Sequence, residues 1–301
     1  MDSRRLEHFL AAFRHGSLGR AAAELHISQP GLSKSIHQLE RELGVKLFDR
    51  TPLGLAPTIF GEALAAHAAS VQSELDSAQR EIAMLRGAAK GVVRVGVTPS
   101  VAASPLPAIA AELMTSRPSI QLQIFEGLVE THVPALRRGE LDMVVGGWAR
   151  GMDPDLKSEP LFRDAVHVWG RTGHPLCGSS VELARLLEFP WLTPPPSQFW
   201  LEALDRAFIS VGLAAPVPTL VTTSASLIIG VLERSDALTY LPAQVFAAHG
   251  SDGSVTALEV PAVDQAIDIN VTYRATAALT PAAVALIEAL HAAAGGHNRQ
   301  L

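Results

Sequence analysis

The stretch AAAELHISQPGLSKSIHQLERELGVKLFDRTPLGLAPT, residues 21–58, decides how the N-terminal part of this 301-residue chain folds. Its Ser28-Gln29-Pro30 sequence is typical of a helix start, because serine caps free N–H groups of the first turn and proline lacks the N–H that would go unpaired there. A helix is therefore predicted from Gln29 to about Leu43, with Gly44 ending it. Its apolar side chains recur at spacings of four, three and four, which indicates one buried face. They are Leu32, Ile36, Leu39 and Leu43.

Two shorter helices are predicted before this one. Residues 3–15 carry apolar side chains at i, i+3, i+4 and i+7, and residues 18–25 follow a break at Gly16-Ser17, where serine is a favoured N-cap. After the third helix, residues 47–50 and 55–58 are predicted strands around a turn. Three helices followed by a two-stranded hairpin are typical of a winged helix-turn-helix, in which one helix enters the major groove of DNA.

The third helix carries groups that read base edges on the face opposite its apolar side chains. Glutamine pairs with adenine and lysine with guanine, and each good bidentate pair contributes about 1–3 kcal/mol of discrimination. In the wing, arginine and threonine are placed to meet phosphate or the minor groove. The residues predicted to contact DNA are Ser28, Gln29, Pro30, Ser33, Lys34, His37, Arg50 and Thr51. The same spacing also fits a small packing module whose polar face is only solvated.

Residues 21–58 closely resemble the winged helix-turn-helix of LysR-type transcriptional regulators. The resemblance covers the start and end of the third helix, within 28–44, and the wing at 47–50. It departs at Lys34, where the family often has arginine, and at 59–61, where Ile-Phe-Gly replaces Glu-Ala-Gly. Lysine keeps the positive charge but lacks the planar fork of arginine, which weakens guanine readout. The resemblance implies double-stranded operator DNA as a partner, dimers that assemble into tetramers, and contact with RNA polymerase.

A long helix is predicted from Thr58 to Leu85, a stretch without proline. Its apolar side chains alternate at four and three residues, the a/d pattern of a coiled coil. They are Leu64, Ala68, Val71, Leu75, Ala78, Ile82 and Leu85. A helix with so narrow an apolar stripe needs a partner, so residues 59–88 are predicted to be a linker that dimerises, following a DNA-binding domain at 1–58. The alternative is a helix packed on the chain's own C-terminal part.

The C-terminal two thirds have the pattern of an α/β protein. Strands and helices alternate from Val92 to Val145, which favours a mostly parallel sheet with right-handed crossovers, and a second set follows from Ala165. The order resembles the two-lobed effector-binding domain of the same family, which is similar to periplasmic binding proteins. The predicted domain is 91–301. On that resemblance lobe one is 91–162 and 264–301, and lobe two is 163–263.

Ligands of open α/β sheets bind beyond the carboxyl ends of the strands. At these ends the sequence places mostly hydroxyl groups and free main-chain amides. The residues predicted to bind an effector are Thr98, Pro99, Ser100, Val101, Gly127, Thr131, Ser197, Thr222 and Thr223. Such a site suits a sugar, a sugar acid or a small carboxylate. Each serine or threonine, taken alone, also fits an ordinary helix cap.

Composition narrows the class of protein without identifying its partner. The net charge is −6, but residues 1–90 carry 11 Lys and Arg against 10 Asp and Glu, and the remainder carries 13 against 20, so the acidity belongs to the C-terminal part. No run approaches the roughly 20 apolar residues that span a bilayer. With no signal peptide and a single cysteine, Cys177, the chain is predicted to be cytoplasmic and reduced.

Motifs of catalysis, metal binding and phosphate binding are absent from the sequence. No catalytic residue, metal or cofactor other than a small effector is therefore predicted, and the chain is predicted not to be an enzyme. The alternative is a small-molecule enzyme or solute-binding protein that carries a helix-turn-helix without reading DNA.

Overall fold

The computed structural model describes residues 2–52, 54–85, 91–147, 154–196, 200–247 and 253–297. The chain divides into two compact units. The first is Met1–Ala89 with Arg137–Glu140, and the second is Lys90–Leu136 with Leu141–Leu301. Among the described residues, no helix combines the length and the apolar character needed to cross a membrane.

The first unit is a winged helix-turn-helix followed by a long helix. Its elements are α1 (Ser3–His15), α2 (Leu18–Glu24), α3 (Gln29–Leu43), β1 (Phe48–Thr51), β2 (Gly54–Pro57) and α4 (Ile59–Leu85). The strands pair antiparallel, with Arg50 opposite Leu55. The core between the helices and the wing contains Phe9, Leu32 and Leu39. The predicted order of three helices, a wing and a long helix is confirmed.

The helix ends follow the predicted capping residues. Ser17 and Ser28 accept hydrogen bonds from the main-chain N–H groups of Arg20 and Gly31 at the starts of α2 and α3. Gly44 ends α3 in the left-handed conformation, with φ of 70°. Thr58 accepts from the N–H of Gly61 at 3.2 Å at the start of α4. These short-range contacts explain why the boundaries in this unit were predictable.

The second unit is built around one sheet. Its elements in chain order are β3 (Gly91–Val97), α5 (Pro99–Ala103), α6 (Leu106–Ser116), β4 (Ile120–Glu126), α7 (Val129–Arg137), β5 (Met143–Gly147), β6 (Leu156–Arg171), α8 (Leu183–Leu186), β7 (Trp191–Thr193), α9 (Leu201–Ser210), β8 (Pro218–Val221), α10 (Ala225–Leu232), β9 (Leu238–Pro242), the 3₁₀ helix η1 (Ala243–Phe246), β10 (Val255–Ala257), β11 (Gln265–Arg274) and α11 (Pro281–His297).

The strand order within the described residues is β4-β3-β5-β11-β6-β9-β7-β8, with β10 also paired to β6. The predicted parallel arrangement is confirmed for β3, β4 and β5, and β7 is parallel to both β8 and β9. Between these two groups lie β6 and β11, which pair antiparallel with each other and with β9 and β5 respectively. The sheet is therefore mixed, and two long antiparallel strands join its two halves.

Several element boundaries differ from the predicted ones for physical reasons. The predicted helix from about Ser104 to Ser116 is α6, which begins at Leu106; the short helix α5 before it was not predicted, and β6 runs over sixteen residues where only residues 165–169 were predicted. The first half of β6 contains Pro160 and pairs through a register shift at Ile269/Asn270, which disturbs the alternation that predicts a strand. Strands β7 and β9 were not predicted, because they are short and buried at every residue.

The start of α4 generates a test of the packing in the first unit. A Cβ at Gly61 would clash with the carbonyl oxygen of Leu47, which also accepts the N–H of Thr58 at 3.0 Å and so has little freedom to move. Although alanine is favoured over glycine inside a helix by about 1 kcal/mol, we expect Gly61→Ala to lower the free energy of unfolding by about 1–3 kcal/mol.

Urea unfolding followed by far-UV circular dichroism measures this change. Gly19→Ala in α2 is the matched control, because a Cβ there has 3.9 Å to its nearest neighbours; it should leave the stability unchanged or raise it by up to about 1 kcal/mol. Equal effects of the two substitutions would contradict the close approach of α4 to Leu47.

Candidate functional site

One face of α3 gathers the residues predicted to contact DNA. Gln29, Pro30, Lys34 and His37 are exposed, and Ser33 is half-buried beside them. The opposite face is sealed in the core, where Leu32 and Leu39 are fully buried. Because residues three and four apart share a helix face, the predicted set forms one continuous polar surface. Ser28 lies at the end of this surface and has the structural role of helix cap.

A groove separates α3 from the wing. Its volume is about 480 Å³ and its lining includes Ser33 and His37 together with Lys46 and Asp49. Lys46 was not predicted as a site residue, although its position between α3 and β1 is the signal that could have indicated it. In the wing, Arg50 lies in β1 opposite Leu55, and the hydroxyl of Thr51 donates to the carbonyl of Gly54 at 3.1 Å, across the turn.

Glu40 ties the recognition helix to the wing. Its Oε1 accepts the main-chain N–H groups of Leu47 at 2.9 Å and Phe48 at 3.4 Å, where the chain enters β1. Its Oε2 lies 3.0 Å from Nδ1 of His37 on the exposed face. The side chain is only 13% exposed, so these partners replace water around the carboxylate. Glu40 therefore sets the orientation of the wing relative to α3.

The second unit contains a small cavity of about 40 Å³ where the two halves of its sheet meet. Most of the cavity lining comes from the ends of β3, β5 and β9 and from the loop before α10. The lining residues are Thr98, Pro99, Ser100, Leu128, Gly147, Pro194, Trp200, Thr222, Thr223, Ala225, Ile228, Leu241, Pro242, Val245 and Ile267.

The structure brings part of the predicted effector site together. Five of its residues line the cavity: Thr98, Pro99, Ser100, Thr222 and Thr223. Three others do not. Val101 points into the core and is fully buried, Gly127 packs against the imidazole of His132, and Thr131 is exposed on α7. Ser197 lies outside the described residues.

The apolar walls of the cavity were missed from the sequence. Leu128, Trp200, Ile228, Val245 and Ile267 come from five separate elements or loops. An apolar side chain in a helix or strand is most often part of a core, so no local pattern distinguishes these five from their buried neighbours. Only the folded sheet identifies them as a wall.

The polar side chains of the cavity are mainly hydroxyls, some of which keep a hydrogen to donate. The hydroxyls of Thr98 and Ser100 lie 3.2 Å apart, so one donates to the other and one hydrogen remains. The hydroxyl of Thr222 already accepts the N–H of Ser224 at 3.1 Å and keeps its hydrogen to donate. None of the lining residues named above carries a charged or amide side chain.

Buried polar contacts support the walls of the cavity from behind. Gln265 donates through Nε2 to the carbonyl of Trp200 at 3.0 Å and to the hydroxyl of Tyr240 at 2.8 Å. The Tyr240 hydroxyl donates in turn to the carbonyl of Val263, and burial raises the pKa of Tyr240 to about 12. At the end of β3, Nε2 of His132 lies 3.3 Å from the carbonyl oxygen of Val97, and burial lowers the pKa of this imidazole.

Metal ligands are not clustered in the described part of the chain. No group of three or more His, Cys, Asp or Glu side chains among those residues could hold a metal ion. The groups that line the two sites can recognise a partner by hydrogen bonds, charge and apolar contact.

Two separate family models match the N-terminal and the C-terminal part of the chain. The family model described as "Bacterial regulatory helix-turn-helix protein, lysR family" matches residues 3–62, and the model described as "LysR substrate binding domain" matches residues 86–295. The transcriptional regulator YdcI of Escherichia coli K12 is 30% identical over 95% of this chain and 94% of its own length. The transcriptional regulator GalR of Pseudomonas putida is 29% identical over 95% of this chain and 72% of its own length.

Solved structures share the fold. A full-length OxyR variant from Pseudomonas aeruginosa, with one cysteine replaced by aspartate, has a TM-score of 0.68 at 24% identity, covering 98% of this chain and 94% of that one. Full-length CbnR in complex with its target DNA has a TM-score of 0.68 at 20% identity, covering 97% and 100%.

A winged helix-turn-helix joined to a two-lobed α/β binding domain defines a ligand-responsive DNA-binding protein. The chain belongs to the lysR family of bacterial regulatory helix-turn-helix proteins. It is a DNA-binding transcriptional regulator with an effector-binding domain, and its relatives are regulators, not enzymes.

Glu40 provides the test of the α3–wing connection. Glu40→Ala leaves two main-chain N–H groups without their acceptor, so we expect a loss of about 1–3 kcal/mol in the free energy of unfolding together with weaker operator binding. Glu40→Gln keeps an acceptor oxygen and should retain most of both. Urea unfolding and DNA titrations measure the two effects.

The matched control is Glu42→Ala in the same helix, which removes an exposed ion pair with Arg5. Such a pair contributes about 0–1 kcal/mol. If Glu40→Ala costs no more than Glu42→Ala, Glu40 does not hold the wing.

Proposed function

We propose that this regulator binds operator DNA as a dimer through α3 and the wing, and that a small effector in the cavity of the second unit controls it. The observation that carries the proposal is the continuous exposed face of Gln29, Lys34 and His37 on a helix whose other face is sealed in the core. The alternative, a small packing module whose polar face is only solvated, does not explain why a wing is fixed to that same helix by Glu40.

On DNA, α3 lies in the major groove. Gln29 and Lys34 contact base edges, while Ser28, Pro30, Ser33 and His37 line the contact. Arg50 and Thr51 in the wing meet phosphate or the minor groove. Lys46 joins this set because it lies in the same groove between helix and wing.

Dimerisation through α4 is supported by its exposed apolar side chains. Val71 is 45% exposed, Leu75 is 42% exposed and Ile82 is 57% exposed, and all three belong to the predicted a/d stripe. Large apolar side chains along one stripe of a helix favour a second helix in register. A pair of subunits presents two copies of α3, which suits half-sites one helical turn apart. Assembly of dimers into tetramers is carried over from the family resemblance.

The sequence predicts a sugar, a sugar acid or a small carboxylate as the effector. Of these three classes, the lining of the cavity favours a small carboxylate with a single charge, a monocarboxylate. A sugar or sugar acid carries hydroxyl groups around its whole body that each need a partner, whereas the hydroxyls of Thr98, Ser100 and Thr222 occupy only part of a largely apolar lining and have hydrogens to donate. A carboxylate only accepts. No cationic side chain lines the described part of the cavity, so a ligand with two negative charges is disfavoured relative to a ligand with one. The apolar remainder of the lining and the volume of about 40 Å³ favour a short apolar body.

The effector acts by shifting a population of conformations. It can do so only if its affinity differs between two states of the protein, and a swing from 1:99 to 99:1 requires about 5.5 kcal/mol of difference. The state on DNA then changes promoter geometry or contact with RNA polymerase. Such a regulator works in the cytoplasm, where its operator lies.

Footprinting of the DNA upstream of the regulator's own coding region is the decisive experiment. It is done alone and with acetate, propanoate, 2-methylpropanoate, benzoate, succinate, galactose and gluconate. Protection of at least two half-sites on one face of the duplex, altered by acetate, propanoate, 2-methylpropanoate or benzoate, supports the whole proposal. Protection altered only by succinate, galactose or gluconate, or by none of the compounds, overturns the effector class, and the absence of sequence-specific protection overturns the DNA-contact assignment.

The DNA-contacting face is tested by Gln29→Ala combined with Lys34→Ala. If the two contacts add, operator affinity should fall by about 2–6 kcal/mol, while the thermal stability of the second unit stays unchanged. Fluorescence anisotropy with a labelled operator measures the affinity. Gln121→Ala with Arg117→Ala, an exposed glutamine and an exposed basic residue of the second unit, is the matched control. Operator affinity that is unchanged in the test pair means that α3 does not read the bases.

The cavity is tested by Ser100→Ala and Thr223→Val. Each removes one hydrogen bond to a charged ligand, which is worth about 1.5–3 kcal/mol, so the half-maximal concentration of a responding monocarboxylate should rise by about 10-fold or more. Operator affinity without effector should not change. Thr131→Val is the control, because Thr131 is exposed and does not line the cavity. A wild-type response in both cavity variants would show that the effector binds elsewhere.

A further inference from the structure

A buried acid lies next to one wall of the cavity. Asp164 is on β6, its exposed fraction is 0%, and its register partner on β11 is Ile267, which lines the cavity. Its Oδ1 accepts the main-chain N–H of Gln244 at 3.2 Å, and the carboxyl group also interacts with the main-chain N–H of Ala243. Its Oδ2 is buried and has no hydrogen-bond partner in the structure.

The segment that Asp164 holds is part of the cavity. Leu241 and Pro242 at the end of β9 and Val245 in η1 line it. The N–H groups at the start of a helix have no partner within the helix, and Asp164 supplies one from a neighbouring strand. On its other side η1 packs against α5, which carries Pro99 and Ser100 on a second wall. One carboxyl group therefore fixes a contact shared by two walls.

No cation pairs with Asp164 among the described residues. His167, three residues along β6, is occupied by Asp264 at 2.9 Å, and Arg163 lies 3.6 Å from Asp268 on β11. On β9 the titratable group is Tyr240, whose hydroxyl bonds to the carbonyl of Val263. Helices η1 and α5 contain no titratable side chain.

The surroundings therefore disfavour a negative charge. Burial raises the pKa of Asp164 to about 7, against the opposing effect of its two main-chain hydrogen bonds and of His167. The protonated acid tolerates an apolar site, whereas the carboxylate must leave one oxygen without a partner or draw in water. Ionisation thus acts on the segment that Asp164 holds.

We propose that Asp164 is a positioning residue whose protonated carboxyl holds Leu241–Phe246 in place, so that ionisation of this group loosens the wall and makes the effector cavity sensitive to pH. The effect on the wall stands on the structure of the second unit alone. Its meaning for regulation rests on the function proposed above.

The direction of the pH dependence follows from linkage. A carboxyl with a higher pKa in the closed wall than in water binds its proton more tightly when the wall is closed. Opening therefore becomes easier as the pH rises from about 4, where an exposed aspartate ionises, and levels off at about 7, where Asp164 itself is ionised. Within that window the opening equilibrium changes by up to about tenfold per pH unit.

Hydrogen exchange with mass spectrometry on the full chain, without DNA or effector, tests this between pH 5 and pH 8. After correction for the chemical exchange rate, peptides covering 241–247 should lose protection by about tenfold per pH unit at pH 5–6.5 and level off near pH 7. Peptides covering 99–104 should follow, because α5 packs on η1. Asp164→Asn should abolish the dependence, and Asp205→Asn, which removes an exposed carboxylate on α9, should preserve it.

Two results overturn the proposal: protection in the wild type that does not change with pH, or an Asp164→Asn variant with the wild-type profile. If Asp164→Asn does not fold, infrared spectroscopy of the wild type replaces it. The carbonyl band of a protonated carboxylic acid should then be present at pH 6 and lost at pH 9, and its absence at pH 6 overturns the proposal. Because no DNA or effector is used, failure here leaves the proposed function standing, and failure of the footprinting leaves this result intact.

Discussion

The pairing of β6 with β11 is the interaction on which the effector-binding unit depends. The ladder runs from Gln265 opposite Val166 to Arg274 opposite Leu156. On one side β11 carries β5 and, through it, β3 and β4; on the other side β6 carries β9, β7 and β8. Both groups of parallel strands are therefore joined through two antiparallel strands. The cavity forms where the ends of the two groups of strands meet. A change in that ladder alters both walls at once.

Two carboxylates that accept main-chain N–H groups organise the two functional regions. Glu40 accepts hydrogen bonds from the N–H groups of Leu47 and Phe48 and connects the wing to α3. Asp164 accepts a hydrogen bond from the N–H of Gln244 and connects η1 to β6. Their surroundings differ. Glu40 keeps contact with solvent and with His37, whereas Asp164 is sealed and has one oxygen without a partner. The same kind of bond is therefore partly solvated in the DNA-binding unit and sealed from solvent in the effector unit.

Local chemistry determined what the sequence could predict. The caps at Ser17, Ser28 and Thr58, the glycine at 44 and the apolar spacing of α3 act within a few residues, so the first unit was predicted almost element by element. In the second unit the sequence predicts that Thr98, Ser100, Thr222 and Thr223 lie close together, because they follow strands, and all four line the cavity. The apolar walls and the buried Asp164 depend on long-range packing of β6, β9 and β11, for which no short pattern exists. Strand β9, buried at all five residues, has no alternation to detect.

The proposed effector and the proposed proton site are coupled by charge. A carboxylate in the cavity and an ionised Asp164 would be two like charges on either side of the wall at 241–246, in a region where no described cation pairs with Asp164 and none lines the cavity. Like charges in such surroundings repel more strongly than in water. Binding of a monocarboxylate would therefore favour protonation of Asp164, and protonation of Asp164 would favour binding by the same factor, since coupling between two sites is reciprocal. The effector would then close the wall and retain a proton in a single step.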